Sequence, residues 1–270
     1  MDALQFLLWP LLACIAIAGI HAYLGFHVVE RGVIFVDLAL AQVAALGATI
    51  GFLFGFDLHD PASHYLSMAA VVAGAALLSL LKAEKRRIPQ EAFIGIVYAV
   101  SAAAAILIVD RTPEGAEHIK FMFVGNLLAT SPQEVAGLAG LYAAIGILHF
   151  LWRKPFFVIS RGEGAAMGRG WVRLWDFLFY LTFGLVVTQS VAVAGVLLVF
   201  SYLIVPSVIA MLLADHARAR LAVGWITGTA VSVAGMLASY QFDLPTGATV
   251  VTTFGVALAL ALLWRGVARR

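Results

Sequence analysis

A single carboxylate lies in a stretch of chain that is otherwise made of apolar and small residues. Residues 32–51 read GVIFVDLALAQVAALGATIG, with Asp37 as the one acid and Gln42 as the one amide. A charge inside a bilayer costs kilocalories per mole, so an acid that is kept there marks a candidate ion pathway. Asp37 is therefore a candidate metal contact on a transport path, and Gln42 is a second candidate for that path.

Each of these two residues also has a structural interpretation. Asp37 is expected about one and a half turns inside the cytoplasmic end of its span, where it could pair with Arg31 or cap the start of the helix. Gln42 is expected deeper in the span, where an amide commonly forms an interhelical hydrogen bond. The sequence leaves both interpretations open.

The elements that position these side chains must be membrane helices. Hydrophobic residues make up 63% of the 270 residues, charged residues make up 12%, and the mean hydropathy is +0.99. This composition excludes a water-soluble globule and predicts an all-α, multi-pass helix bundle with one integral membrane domain over residues 1–270. Nine apolar runs are candidate spans: 4–24, 32–56, 65–82, 92–109, 133–152, 173–191, 193–213, 219–239 and 246–264.

The basic residues predict how these spans are oriented. If the C-terminal WRGVARR is cytoplasmic, alternation of the spans places 15 of the 17 Lys and Arg residues on the cytoplasmic side and leaves Arg111 and Lys120 outside. Basic loops are enriched on the cytoplasmic side of membrane proteins. We therefore predict that the N-terminus is outside and the C-terminus is cytoplasmic.

Two regions between the spans carry further predictions. Residues 118–130 are too short to cross and are followed by Pro132, so we predict a re-entrant or interfacial helix there. Four residues of an outer loop have the spacing of metal ligands: Asp57, His59, Asp60 and His64. We interpret them as a solvated loop that contacts a partner rather than as a metal-binding loop.

Other functional classes find little support in the sequence. A net charge of +2 gives no reason to expect a nucleic-acid partner. The chain has no G-x-x-x-x-G-K-[ST] loop and no zinc-helix or G-x-S-x-G motif, so we predict neither ATP hydrolysis nor another enzymatic activity. Cys14 is the single cysteine and excludes an intramolecular disulfide.

Asp176 and His149 are interpreted as polar groups at the membrane interface.

Four segments, taken together, resemble the permease subunits of the zinc- and manganese-type metal ABC importers, the ABC-3 family. They are RGVIFVDLALAQVAALG (31–47), FMFVGNLLATSPQEV (121–135), VAGVLLVFSYLIVPSVIAMLLA (193–214) and LPTGATVV (244–251). The resemblance implies a type II importer-like bundle in the inner membrane and a translocation pathway between two permease copies. It also implies a separate cytoplasmic ATPase, an extracytoplasmic substrate-binding protein, a divalent metal ion as the transported substrate, and a place on the pathway for Asn126.

The chain departs from this family in its second span. There the family carries an Asp followed four residues later by a His, which can share a divalent cation on one helix face. Here Gln42 stands at the His position and Leu38 at the Asp position, with Asp37 one residue earlier. On a straight helix Asp37 and Gln42 point roughly 140° apart, so the two-ligand site is not reproduced.

The resemblance also suggests where the ATPase binds. In LIVPSVIAMLLADHARAR (203–220), Pro206 interrupts an apolar run and is predicted to leave a short amphipathic piece that acts as a coupling helix. The residues predicted to contact the ATPase are Pro206, Ala214, Asp215, Ala217 and Arg218. The alternatives are a kinked span with a solvated basic loop, and an ATPase contact in residues 153–172.

We therefore predict the transmembrane permease subunit of an ABC importer for a divalent metal ion of the zinc, manganese or iron class. The alternative from another class is a stand-alone secondary transporter that uses Asp37 as its cation or proton carrier.

Overall fold

The computed structural model describes residues 3–56, 60–81, 88–110 and 125–268, and in these residues the chain forms helices and no strand. Nine long helices correspond one to one with the nine predicted spans, which confirms the prediction of an all-α membrane bundle. The helices are α1 (Ala3–Arg31), α2 (Val36–Leu53), α3 (Pro61–Leu81), α4 (Gln90–Val109), α5 (Pro132–Leu151), α6 (Arg153–Ser160), α7 (Arg169–Ala194), α8 (Val196–Leu213), α9 (Ala217–Phe242) and α10 (Thr246–Ala268).

Helix length agrees with a membrane location. Within the described residues, eight helices are long and apolar enough to cross a bilayer, and α2 contributes a shorter apolar stretch, Val36–Gly51. The remaining helix, α6, has only eight residues and is a connecting element rather than a span. The chain is therefore a multi-pass membrane protein.

The helices group into two compact units. The first unit comprises Met1–Val29, Phe121–Ile147 and Ser190–Arg270, and the second comprises Glu30–Lys120 and Leu148–Gln189. That the two units act as one permease domain stays a prediction.

In the first unit, α8, α9 and α10 pack on one another, and α1 lies against α8 and α9. Gly25 of α1 contacts the backbone of Leu203, where any larger side chain would collide with α8. Tyr202 is fully buried in α8 and its hydroxyl is 2.5 Å from the hydroxyl of Ser232 in α9. Small residues thus allow close backbone approach, which is how membrane helices associate without a hydrophobic driving force.

In the second unit, α2 packs against both α3 and α4. The contact with α3 depends on Gly47, because a Cβ at that position would lie 2.6 Å from the carbonyl oxygen of Leu66 and 2.6 Å from the Cβ of Ala70. Leu40, buried in α2, packs beside Gly74 of α3. This packing holds the polar residues of α2 inside the unit.

Many hydroxyl groups in the helices donate to the carbonyl group four residues earlier in their own helix, at 2.8–2.9 Å. These residues are Thr188, Ser201, Ser207, Thr249, Thr252 and Thr253. Such bonds satisfy a hydroxyl in an apolar environment without a partner on another helix.

The predicted re-entrant helix is described only in part, because residues 118–124 lie outside the described residues. Gly125 adopts a φ of +67°, and the following Asn126 donates its backbone N–H to the carbonyl of Val193 at 3.2 Å. A single 3₁₀ turn, Leu127–Ala129, then leads to α5. The start of α5 is a capping box in which Ser131 and Glu134 exchange hydrogen bonds.

The short amphipathic helix predicted after Pro206 does not form as a separate element. Helix α8 continues through Pro206 to Leu213, and Ala214 is extended. Proline removes the backbone hydrogen bond to the carbonyl of Tyr202, four residues earlier, and such a proline is tolerated in membrane helices. The next carbonyl, that of Leu203, accepts a hydrogen bond from the hydroxyl of Ser207. The prediction of a separate short amphipathic piece after this proline was therefore wrong.

Candidate functional site

The candidate site is built at the start of α2. Gly32, with a φ of +64°, ends α1, and the backbone N–H of Val36 donates to the carbonyl of Val33 at 3.2 Å in the turn that begins α2. Asp37 therefore lies in the first turn of α2 and is only 2% exposed. A carboxylate at this position interacts favourably with the unpaired N–H groups of the helix start.

One oxygen of Asp37 is left without a protein partner. Its Oδ1 is buried and has no hydrogen-bond partner among the described residues. Arg31, which the sequence offered as a partner, instead bonds Asp176 through its Nη1 at 2.7 Å. The interpretation that Asp37 serves to pair with Arg31 was therefore wrong, and its buried oxygen is available to a ligand.

The structure adds a carboxylate that the sequence analysis missed. Glu91 lies in the first turn of α4, and its Oε1 accepts the backbone N–H of Phe35 at 2.9 Å, two residues before Asp37. Glu91 is thereby held at the start of α2, where Asp37 also lies. An acid at the start of a span looks like an ordinary first-turn residue in the sequence, and only the packing of α4 on α2 brings it to Asp37.

Gln42 lies further along α2 and is 3% exposed. Its Nε2 is buried and finds no hydrogen-bond partner among the described residues, so the structure shows no interhelical bond from that atom. Asp37 and Gln42 are five residues apart on one continuous helix, so their side chains point roughly 140° apart around the helix axis. The structure thus places both in α2 without bringing them to one face.

Asn126 lies in the other unit. Its side chain is exposed, forms no cap on the following 3₁₀ turn, and is held in position through its backbone bond to Val193. A role for Asn126 on the pathway stays a prediction.

The residues predicted to contact the ATPase occupy a tight link between α8 and α9. Ala214 is extended and half-buried, Asp215 is exposed, and α9 begins at Ala217, followed by the exposed Arg218. Arg220 closes the link, because its Nε donates to the carbonyl of Ala214 at 3.0 Å. Contact of this link with an ATPase stays a prediction.

A short amphipathic helix does occur elsewhere in the chain, in α6. Phe156, Ile159 and Ser160 of α6 are buried, whereas Arg153 and Lys154 are exposed. A basic exposed face on a short connecting helix is suited to docking on another protein.

The buried side of α6 joins a polar cluster in the second unit. Ser160 accepts a hydrogen bond of 2.8 Å from Nε of Arg31, whose guanidinium carbon also lies 3.8 Å from the ring centre of Phe179. His149 stacks on Phe156 at 4.0 Å between ring centres. His149 is 1% exposed and Asp176 is fully buried, so both are enclosed by protein, and their position at the membrane interface stays a prediction. His149 shares a hydrogen bond with the hydroxyl of Thr182 at 2.9 Å, and Oδ1 of Asp176 accepts from Arg31 at 2.7 Å.

A preformed multidentate metal centre is absent from the residues that the structure describes, since they contain no group of three or more His, Cys, Asp or Glu side chains placed to hold an ion. In the predicted outer-loop cluster, Asp57 and His59 lie outside the described residues. Asp60 and His64 are exposed at the start of α3. The interpretation of this loop as a partner contact stays a prediction.

Comparisons with known proteins identify the family of the chain. Residues 3–265 match the ABC 3 transport family. The chain is 24% identical to a protein named probable iron transport system membrane protein from Haemophilus influenzae, over 96% of this chain and 90% of that one. It is 23% identical to the manganese transport system membrane protein MntC of Halalkalibacterium halodurans, over 96% of this chain and 87% of that one.

A solved structure has the same fold. PsaBC from Streptococcus pneumoniae, in complex with Fab, superposes with a TM-score of 0.77 and 22% identity, over 96% of this chain and 93% of that one. Because the family match extends over nearly the whole sequence, the chain belongs to the ABC 3 transport family.

Proposed function

We propose that this chain is the permease subunit of an ATP-driven importer for a divalent metal ion of the manganese or iron class. The observation that carries the proposal is the match to the ABC 3 transport family over residues 3–265. Relatives that cover nearly the whole chain are named for iron and manganese transport, which supports a metal ion as the substrate.

The side chains of α2 support the choice among metals. The family's His position carries Gln42, and the neighbouring acid is Asp37, so the polar groups of this segment offer oxygen rather than imidazole nitrogen. Carboxylate and amide oxygens suit harder cations such as Mn²⁺, whereas imidazole and thiolate favour Zn²⁺. Asp37 and Gln42 are therefore proposed as residues of the transport path, with manganese or iron preferred over zinc.

The proposal assigns energy coupling to other chains. This sequence has no phosphate-binding loop, so a separate cytoplasmic ATPase supplies the energy, an extracytoplasmic binding protein delivers the ion, and two permease copies enclose the path. The charge distribution of the loops supports a C-terminus in the cytoplasm.

The ATPase contact is proposed at α6. A partner groove accepts a helix more readily than a three-residue link, and α6 is a separate helix with a basic exposed face. The alternative is the contact that the sequence predicts, at Pro206, Ala214, Asp215, Ala217 and Arg218, and variants in the two places distinguish the two contacts.

Reconstitution tests the proposed function. The permease, purified together with a candidate partner ATPase, is placed in proteoliposomes with the binding protein and ATP, and uptake of Mn²⁺, Fe²⁺ and Zn²⁺ is measured. We expect uptake of Mn²⁺ or Fe²⁺ that requires ATP hydrolysis. Uptake by the permease alone, driven by an ion gradient, would instead establish the secondary transporter that uses Asp37. Absence of metal uptake under both conditions would refute a metal substrate.

A further inference from the structure

We infer that Asp37 and Glu91 together form a two-carboxylate cation site between the first turns of α2 and α4. This inference rests on the proposed function and adds to it a second ligand, from a helix that carries no predicted pathway residue.

The geometry of the two helix starts places both carboxylates at the beginning of α2. Helices α2 and α4 pack against each other. Glu91 reaches across from α4 to accept the backbone N–H of Phe35 at 2.9 Å, in the turn that leads into α2. That bond fixes Oε1 of Glu91 only two residues from Asp37 and leaves Oε2 as its second oxygen.

Both carboxylates retain a buried oxygen without a partner. Oδ1 of Asp37, on a side chain that is 2% exposed, and Oε2 of Glu91 have no hydrogen-bond partner among the described residues. The ion pair between Arg31 and Asp176 involves neither of them. The N–H groups of the helix start stabilise these carboxylates in part, and a bound cation would give the two remaining oxygens a partner.

The ligand set fits an ion in transit. Two carboxylates provide hard oxygen ligands, the kind that suits Mn²⁺. Two protein ligands are also fewer than a permanent site supplies, and the described residues offer no third His, Cys, Asp or Glu to complete one. Conduction requires a site that an ion can enter and also leave. The pair is therefore a transient binding point on the path rather than a storage site.

The test measures Mn²⁺ binding by the purified permease–ATPase complex in lipid nanodiscs, using the electron paramagnetic resonance signal of free Mn²⁺. Glu91→Gln removes the charge but keeps an oxygen that can accept the Phe35 N–H. We expect Glu91→Gln and Asp37→Asn each to weaken Mn²⁺ binding and lower Mn²⁺ uptake by about tenfold or more. The double variant should be no worse than the poorer single one, because either change already destroys the shared site.

Glu134→Gln is the matched control. Glu134 also lies in the first turn of a helix and also accepts a backbone N–H, from Ser131, but it is exposed and belongs to a capping box. Its substitution should leave Mn²⁺ binding unchanged. Binding by Glu91→Gln within about twofold of the unaltered complex, at equal recovery of protein, would overturn the inference.

A second variant tests the inference if too little Glu91→Gln protein is recovered for a binding measurement. Glu91→His exchanges a hard oxygen ligand for imidazole and should raise the ratio of Zn²⁺ to Mn²⁺ uptake, which a purely structural residue would not do. An unchanged ratio would overturn the inference. Failure of the proposed function gives a different result from failure of this inference. If the proposed function is wrong, the unaltered complex takes up no metal with ATP, and the binding measurement still tests the site.

Discussion

Nη1 of Arg31 lies 2.7 Å from Oδ1 of Asp176, and the two side chains are only 3% and 0% exposed. Removing one member of such a pair leaves an uncompensated buried charge, which costs about 3–5 kcal/mol. We expect Arg31→Met and Asp176→Leu each to lower the unfolding temperature sharply, and the double variant to lose less than either one. A double-mutant cycle on the purified permease measures this. Additive losses would mean that the pair contributes no coupling energy.

The contact of α2 with α3 should not tolerate a side chain at Gly47. A Cβ there would lie 2.6 Å from a backbone oxygen of α3, so Gly47→Val must push the helices apart. Overpacking of this kind costs about 1–3 kcal/mol. We expect less folded protein in the membrane, measured by fluorescence-detected size-exclusion chromatography. Gly137→Val is the control, because nothing lies within 4 Å of a Cβ at that position. Equal profiles for both variants would contradict the close packing at Gly47.

Gln42→His restores the residue that the family carries at this position. If Gln42 lines the path, an imidazole should shift metal preference toward softer ions, and the ratio of Zn²⁺ to Mn²⁺ uptake should rise. Competition uptake in cells that lack other importers of these metals measures that ratio. An unchanged preference with normal expression would assign Gln42 to packing alone.

The docking of the ATPase should depend on α6. Lys154→Glu reverses a charge on its exposed face, and we expect the amount of co-purified ATPase to fall by about tenfold because charge complementarity guides such contacts. Ala217→Glu, in the link between α8 and α9, should leave the ATPase bound. The reverse result would move the contact to residues 214–218.

The orientation can be measured with single cysteines. Cys14 is fully buried and should not react, so it gives little background. Asp60 and Lys154 are both exposed. An impermeant maleimide added to intact cells should label Asp60→Cys, whereas Lys154→Cys should react only after the membrane is opened. Labelling in the opposite order would invert the topology.

The helices were predictable because membrane spans are encoded by local hydropathy. All nine apolar runs became helices, and most of their ends agree within a few residues, as at 246–264 against Thr246–Ala268. Asp37 and Gln42 could be found for the same reason, since each is a polar residue in an apolar run.

The partners of polar residues were not predictable, because pairing depends on packing between distant segments. Arg31 and Asp176 are 145 positions apart, and the sequence suggested Asp37 as the partner of Arg31 instead. Glu91 was missed because it stands beside a basic loop, where an acid needs no special explanation. The effect of Pro206 on its helix was not predictable either, because it depends on how neighbouring groups pack around the helix and hydrogen-bond its backbone.

The hydroxyl groups that bond to carbonyl groups of their own helices bear on how easily one helix moves against another. Each of the bonds from Ser201, Ser207 and Thr253 stays intact when its helix slides or rotates against a neighbour, since donor and acceptor travel together. A bond between helices would have to break at each such step, at a cost of about 0.5–1.5 kcal/mol. These hydroxyls therefore add nothing to the barrier between the conformations of a transport cycle, and substituting them by alanine should leave turnover almost unchanged.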